Sequence, residues 1–86
     1  MLSNNYTSVD IFTKELGYIR IEGYIQEDTK IVECVNLKIV QLVHTQGKEI
    51  VMTRDVDYDI LTDEFRISLE ELAYKEYIAR MEEQDD

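Results

Sequence analysis

The sequence predicts an α+β fold: an antiparallel sheet of three or four strands with an N-terminal and a C-terminal helix packed on one face. Three observations carry that expectation. Residues 18–26 alternate apolar and polar with period two, residues 30–44 form a long β-branched run, and residues 69–83 carry an apolar stripe at helical spacing. With 86 residues, 44% of them hydrophobic, the chain fits one acidic domain over 1–86, and disorder at this charge would need a much lower apolar fraction. A chain of this size withdraws roughly 60–65% of its unfolded surface from water, which leaves no room for a second core.

Thr7-Ser8-Val9-Asp10 offers an N-cap hydroxyl with a carboxylate three residues later, and Val9, Phe12 and Leu16 recur at i, i+3 and i+7. The N-terminal helix is therefore placed over about residues 8–16, with Gly17 as its stop. From Tyr18, Ile19, Ile21 and Ile25 point one way while Arg20, Glu22, Tyr24 and Gln26 point the other, a half-buried strand in which Gly23 marks a bulge. After the polar turn Glu27-Asp28-Thr29, Val35, Leu37, Ile39 and Val43 share one face of the next strand, with Cys34, Asn36, Lys38 and His44 on the other. Val40 and Leu42 break that alternation, so part of the second face is expected to be covered or paired in a homodimer.

Thr45-Gln46-Gly47-Lys48 reads as a hairpin turn into a strand over about residues 49–54. Asp55-Val56-Asp57-Tyr58-Asp59 is extended in pattern, and Phe65-Arg66-Ile67 reads as a short fourth strand. Ser68 and Glu71 then form a capping box that opens the C-terminal helix over about residues 69–83, with Ala73, Tyr74, Tyr77, Ile78 and Met81 as its apolar stripe and Leu72 outside it.

Charge is sorted unevenly along this framework. Residues 1–54 carry seven acidic and six basic side chains, whereas residues 55–86 carry twelve acidic ones against Arg66, Lys75 and Arg80, a net of −9 out of the chain's −10. Self-repulsion in one patch opposes compaction, so the asymmetry points to an acidic surface that meets a basic partner. If 55–59 is a strand, Asp55, Asp57 and Asp59 present three carboxylates along one face at roughly 6.6 Å intervals. Carboxylates accept the same bidentate bonds from arginine and point contacts from lysine that phosphates do. Asp63, Glu64 and Glu70 extend the row, and Glu82, Glu83, Asp85 and Asp86 add an acidic tail over about 82–86, expected to fray because it opposes the helix dipole. Tyr58, between Asp57 and Asp59, is the one tyrosine given a contact role.

Part of this charge has a purely structural account. Acidic groups at a helix N-terminus are worth about 0.3–1 kcal/mol against the macrodipole, and Glu71 with Lys75 and Glu76 with Arg80 stand in the favourable i, i+4 order. A solvated face would explain the tail equally well.

Other chemistries find little support. Cys34 is the only cysteine and His44 the only histidine, which leaves a structural thiol, no zinc cage and no catalytic residue. Asp55, Asp57 and Asp59 match the opening of an EF-hand loop, but Ile60 stands at its glycine position and Arg66 at its bidentate glutamate position, so no metal is expected. A phosphate-binding glycine loop is missing, no cofactor is implied, and the chain reads as a non-enzyme. Direct nucleic-acid binding needs cationic patches that are not present. Met1-Leu2-Ser3-Asn4-Asn5 has neither the basic start nor the apolar run of a secretory signal, and no stretch is long and apolar enough to cross a bilayer, so a cytoplasmic protein without a membrane partner is expected.

The run Asp55 to Asp59, the Asp63-Glu64 pair and the Glu82 to Asp86 tail together resemble small phage-encoded DNA-mimic proteins, which share an acidic surface, small size and low pI rather than a motif. The resemblance covers the last 32 residues. Within that group it is most similar to inhibitors of the nucleoid protein HU, and it implies host takeover in the host cytoplasm by occupying the basic cradle that otherwise holds duplex DNA. Two other readings use the same residues differently: an acidic antitoxin or immunity protein facing a basic toxin, and an assembly protein using the apolar strand face around Val40 and Leu42.

Overall fold

The computed structural model describes residues 5–84. Four antiparallel strands follow one another in space as in sequence: β1 (Tyr6–Thr13), β2 (Gly17–Gln26), β3 (Ile31–Thr45) and β4 (Lys48–Val56). A single 3-10 turn, Tyr58–Ile60, leads into α1 (Asp63–Gln84), which packs on one face of the sheet. The α+β class and the C-terminal helix hold. Among the described residues there is no N-terminal helix.

The segment assigned to that helix is β1. Its alternation is Val9 and Thr13 inward, with Ile11 packed against the core, while Ser8 and Phe12 face out. Period two wins because Val9 and Ile11 lie directly across from Ile21 and Ile19 of β2, and cross-strand β-branched pairs stabilise a sheet. Phe12, which the helical spacing placed on the buried side, is 61% exposed and packs edge-on against Tyr18 at 5.0 Å. Asp10, expected in a capping box, binds Arg20 across the strands at 2.8 Å. Thr13 closes the turn, its Oγ1 donating to the Gly17 carbonyl and accepting from Leu16 N, and Gly17 takes φ +75°.

Strand β2 follows the predicted alternation, with Ile19, Ile21 and Ile25 buried. The bulge falls at Gly23 as expected: pairing passes from Glu22 opposite Asn36 to Gly23 opposite Cys34, which leaves Val35 without a partner. That extra residue shifts the phase of β3. Val32 and Leu37 are buried beneath α1 and Cys34 and Ile39 pack on the same core, whereas Val35 is 52% exposed. The expected placement of Val35 on the buried face and Cys34 on the other is thus reversed by one inserted residue.

Strands β3 and β4 are joined by Gln46 and Gly47 at φ +53° and +77°, the two-residue primed turn that matches strand twist. The distal part of this hairpin lies beyond the helix, and from Gln41 to Asp55 only Val43 is partly buried. Phe65-Arg66-Ile67 is not a fourth strand but part of the opening of α1, which starts at Asp63. Thr62 supplies the cap, its hydroxyl accepting from Phe65 N at 3.2 Å. Ser68 sits inside the helix and donates to the Phe65 carbonyl, so the Ser68-Glu71 capping box does not form. Leu69 and Ala73 are the fully buried helical residues, with Phe65, Tyr74 and Tyr77 packed around them, while Met81 is exposed.

The face of the sheet away from α1 is open. It carries the Asp10–Arg20 and Glu22–Lys38 ion pairs and two edge-on aromatic pairs, Tyr6 with Tyr24 and Phe12 with Tyr18. No helix among the described residues is long and apolar enough to cross a membrane.

A Cβ built on Gly23 would lie 1.9 Å from the Glu33 carbonyl oxygen, whereas one on Gly17 meets nothing within 4 Å. Gly23→Ala is expected to cost at least about 2 kcal/mol by forcing two backbones apart, and Gly17→Ala about 1–2 kcal/mol for its left-handed conformation alone. Urea denaturation of both variants measures the difference, and equal midpoints would contradict the close approach at Gly23.

Candidate functional site

Strand β4 ends at Val56, so the acidic run does not continue as a ladder. Asp55 remains on the open sheet face, directly across from Lys38. Asp57 stays extended and caps the 3-10 turn, its Oδ1 accepting from Asp59 N at 3.1 Å. The turn swings Asp59 round towards the start of α1, and the expected row of three carboxylates becomes a cluster: Asp57, Asp59, Asp63 and Glu64, all exposed. The side chains of Asp59 and Asp63 are 93% and 84% exposed.

Arg66 is the cation of this cluster. Its guanidinium pairs with Asp63 one turn earlier and approaches Asp59 at 3.9 Å. It also lies over the Tyr58 ring, 5.7 Å from the centroid. Asp57 and Glu64 form no ion pair among the described residues. Exposed pairs of the Arg66 type are worth about 0.2–1 kcal/mol, too little to withdraw Asp59 and Asp63 from a competing cation.

Tyr58 and Glu70 hold the cluster to the body. The Tyr58 ring turns inward, and its hydroxyl lies 3.0 Å from Glu70 Oε2 and 3.1 Å from the Arg66 carbonyl. The same Glu70 oxygen accepts from Cys34 N at 3.2 Å, on the bulged stretch of β3. Glu70 is therefore turned toward the sheet and serves as an acceptor joining the helix, the crossover and the bulge. Burial, followed by the Glu70 charge, pushes the Cys34 thiol from its ordinary 9.0 up to about 12. The Tyr58 phenol is raised by burial and then by Glu70. Both groups stay neutral at neutral pH, and neither is an activated nucleophile.

Farther along α1, Glu64, Glu71, Glu82 and Glu83 are exposed, and Glu76 pairs with Arg80 at 3.0 Å. Helical structure persists through Glu82 and Glu83 to Gln84, and Asp85 and Asp86 lie outside the described residues. Among the described residues no three His, Cys, Asp or Glu side chains come close enough together to hold a metal ion.

Two features escaped the sequence reading. The bond from Cys34 to Glu70 spans 36 residues and leaves no local signal. The second is the apolar edge Ile50-Val51-Met52 of β4, every residue of which is exposed. That run was visible as three consecutive apolar residues without alternation. The chain matches no known protein family, no curated protein and no solved structure.

Tyr58→Phe removes the hydroxyl bond to Glu70 and is expected to lower stability by about 1 kcal/mol in urea denaturation. For the thiol, a folded-state pKa above the unfolded value means that the unfolded chain loses its proton first. The associated stability is complete below about pH 9 and drains away as pH rises towards about 12. Thermal melts across that range should show a falling Tm, and Cys34→Ser should flatten the fall; the phenol of Tyr58 contributes in the same direction.

Proposed function

We propose that the chain inhibits a basic DNA-binding protein, of the HU nucleoid type, by presenting carboxylates where DNA presents phosphates. The observation that supports this reading is the crossover from β4 to α1, which gathers Asp57, Asp59, Asp63 and Glu64 at exposed positions with Arg66 as their neighbouring cation. The outer face of α1 extends the negative surface through Glu64, Glu71 and Glu82, about 10 and 16 Å apart along the helix at 1.5 Å per residue.

That spacing defines what kind of mimicry is available. Duplex DNA carries one charge per about 1.7 Å of axis, far denser than this surface, so the chain substitutes for discrete phosphate contacts rather than for a continuous polyanion. Lysine and arginine side chains that normally clamp single phosphates fit the carboxylates one at a time. Long-range attraction from a chain of net charge −10 accelerates encounter. It fades as the Debye length falls from about 10 Å at 0.1 M salt to about 3 Å at 1 M.

The test is capture of basic proteins from a bacterial lysate at low and high salt, with duplex DNA then added as competitor. Binding that salt and DNA both abolish supports the proposal, whereas a captured basic protein indifferent to DNA would favour the antitoxin reading instead. Replacing Asp57 with Asn and Glu64 with Gln is expected to weaken the complex about tenfold or more, equivalent to about 1.4 kcal/mol. Replacing Glu27 with Gln and Asp28 with Asn, in the distant β2–β3 turn, should change it little, and equal losses from the two pairs would sink the assignment.

A further inference from the structure

The acidic surface leaves the other end of the molecule unaccounted for. Strand β4 is an edge strand, paired only with β3, and Lys48 to Asp55 are exposed without exception. Leu42, Ile50, Val51 and Met52 are 59%, 43%, 57% and 53% exposed. Pairing places Leu42 beside Val51 on the open face, and Val43 beside Ile50 on the helix side. The arm is thus apolar on both faces and has an unused row of backbone donors and acceptors along its edge. It contains neither proline nor a bulge, two of the devices that blunt such an edge, and its charged residues stand only towards the ends of the strand.

We infer that β4 pairs antiparallel with β4 of a second copy of this chain, about a two-fold axis at Val51. Charge selects the occupant. A chain of net charge −10 repels its own copies almost everywhere, but residues 31–56 carry three acidic and three basic side chains and are neutral with His44 uncharged. Here two copies meet without net repulsion, and a strongly basic partner gains nothing.

Backbone geometry selects the register. The Gln46-Gly47 turn is closed by Thr45 opposite Lys48, so Lys48 bonds to β3, and alternation turns Glu49, Val51 and Thr53 outward. A two-fold axis normal to the sheet keeps each side chain on its own face, which restricts pairing to residues of equal parity. With Val51 on the axis, Val51 meets its own copy, Ile50 meets Met52, and Glu49 meets Thr53, while Leu42 extends the apolar row on either side. Lys48 then stands opposite Arg54 at the exposed ends of the ladder. Moving the axis to Met52 would oppose Glu49 to Asp55 on the open face and replace the Ile50–Met52 contact with Ile50 opposite Arg54 on the helix side. An edge contact of this length is at the small end of specific interfaces, so the dimer is reversible and concentration-dependent.

Sedimentation of the purified full chain over a concentration series tests the pairing. The mass should rise from 10.2 kDa towards twice that value, persist at high salt, and stay at the monomer in Val51→Lys, a substitution at an exposed site that should leave the circular dichroism spectrum unchanged. In a Cys34→Ser background, Val51→Cys should oxidise to a disulfide-linked dimer, because opposed residues of a hydrogen-bonded pair lie about 5.5 Å apart, within disulfide reach. Ile50→Cys and Met52→Cys should not. A monomer throughout the series, or preferred cross-linking at Met52→Cys, would overturn the inference.

Discussion

The contact between Gly23 and the Glu33 carbonyl is the constraint on which the rest of the molecule depends. Only a residue without a side chain lets the two backbones approach there, and the approach accompanies the bulge that leaves Val35 unpaired. From that point every residue of β3 changes face, so Val32 and Cys34 on one side of the bulge and Leu37 and Ile39 on the other all belong to or pack against the one core. Beside the bulge, Cys34 N donates to Glu70, which also receives the Tyr58 hydroxyl. A local steric exception in the sheet thus lies beside the point where helix, crossover and β3 are tied together.

Much of this was legible in the residues. The alternation of β2, the glycine bulge and the Gln46-Gly47 turn are local signals, and each has a physical cause within a few positions. The N-terminal segment misled because Val9, Phe12 and Leu16 satisfy a helical spacing by coincidence, while the decisive partners, Ile19 and Ile21, lie across a turn. Phe65-Arg66-Ile67 and Ser68 misled for a related reason: Thr62 is an earlier cap, and Phe65, Leu69 and Ala73 make a stripe that only the sheet beneath them rewards. The acidic residues themselves were identifiable, but their arrangement was not, because a 3-10 turn bends the chain where alternation would have kept it straight. Glu70 shows the limit most clearly. It counts as surface charge in composition and acts as an internal acceptor in the fold.

The structure separates two kinds of surface. Around Asp57, Asp59, Asp63 and Glu64, solvated carboxylates act at a distance and lose their effect as salt is added. Along Ile50-Val51-Met52, water-exposed apolar side chains and unpaired backbone act only on contact and are indifferent to salt. The hairpin turn and the acidic crossover lie at opposite ends of β4, so either surface can be altered by substitution while the core of Ile19, Ile21, Leu37 and Leu69 is left intact.

An open strand edge ordinarily invites growth without limit, since each added chain exposes another edge like the one it covered. An edge that meets its own copy behaves differently: both donors of the contact are consumed in making it, and nothing equivalent is left for a third chain. The far side of the sheet ends in β1, whose sequence and charge are unrelated to those of β4. In the inferred dimer, the four charged residues that bracket Ile50-Val51-Met52-Thr53 would mark out a short recognition segment whose symmetry terminates the assembly instead of propagating a fibre.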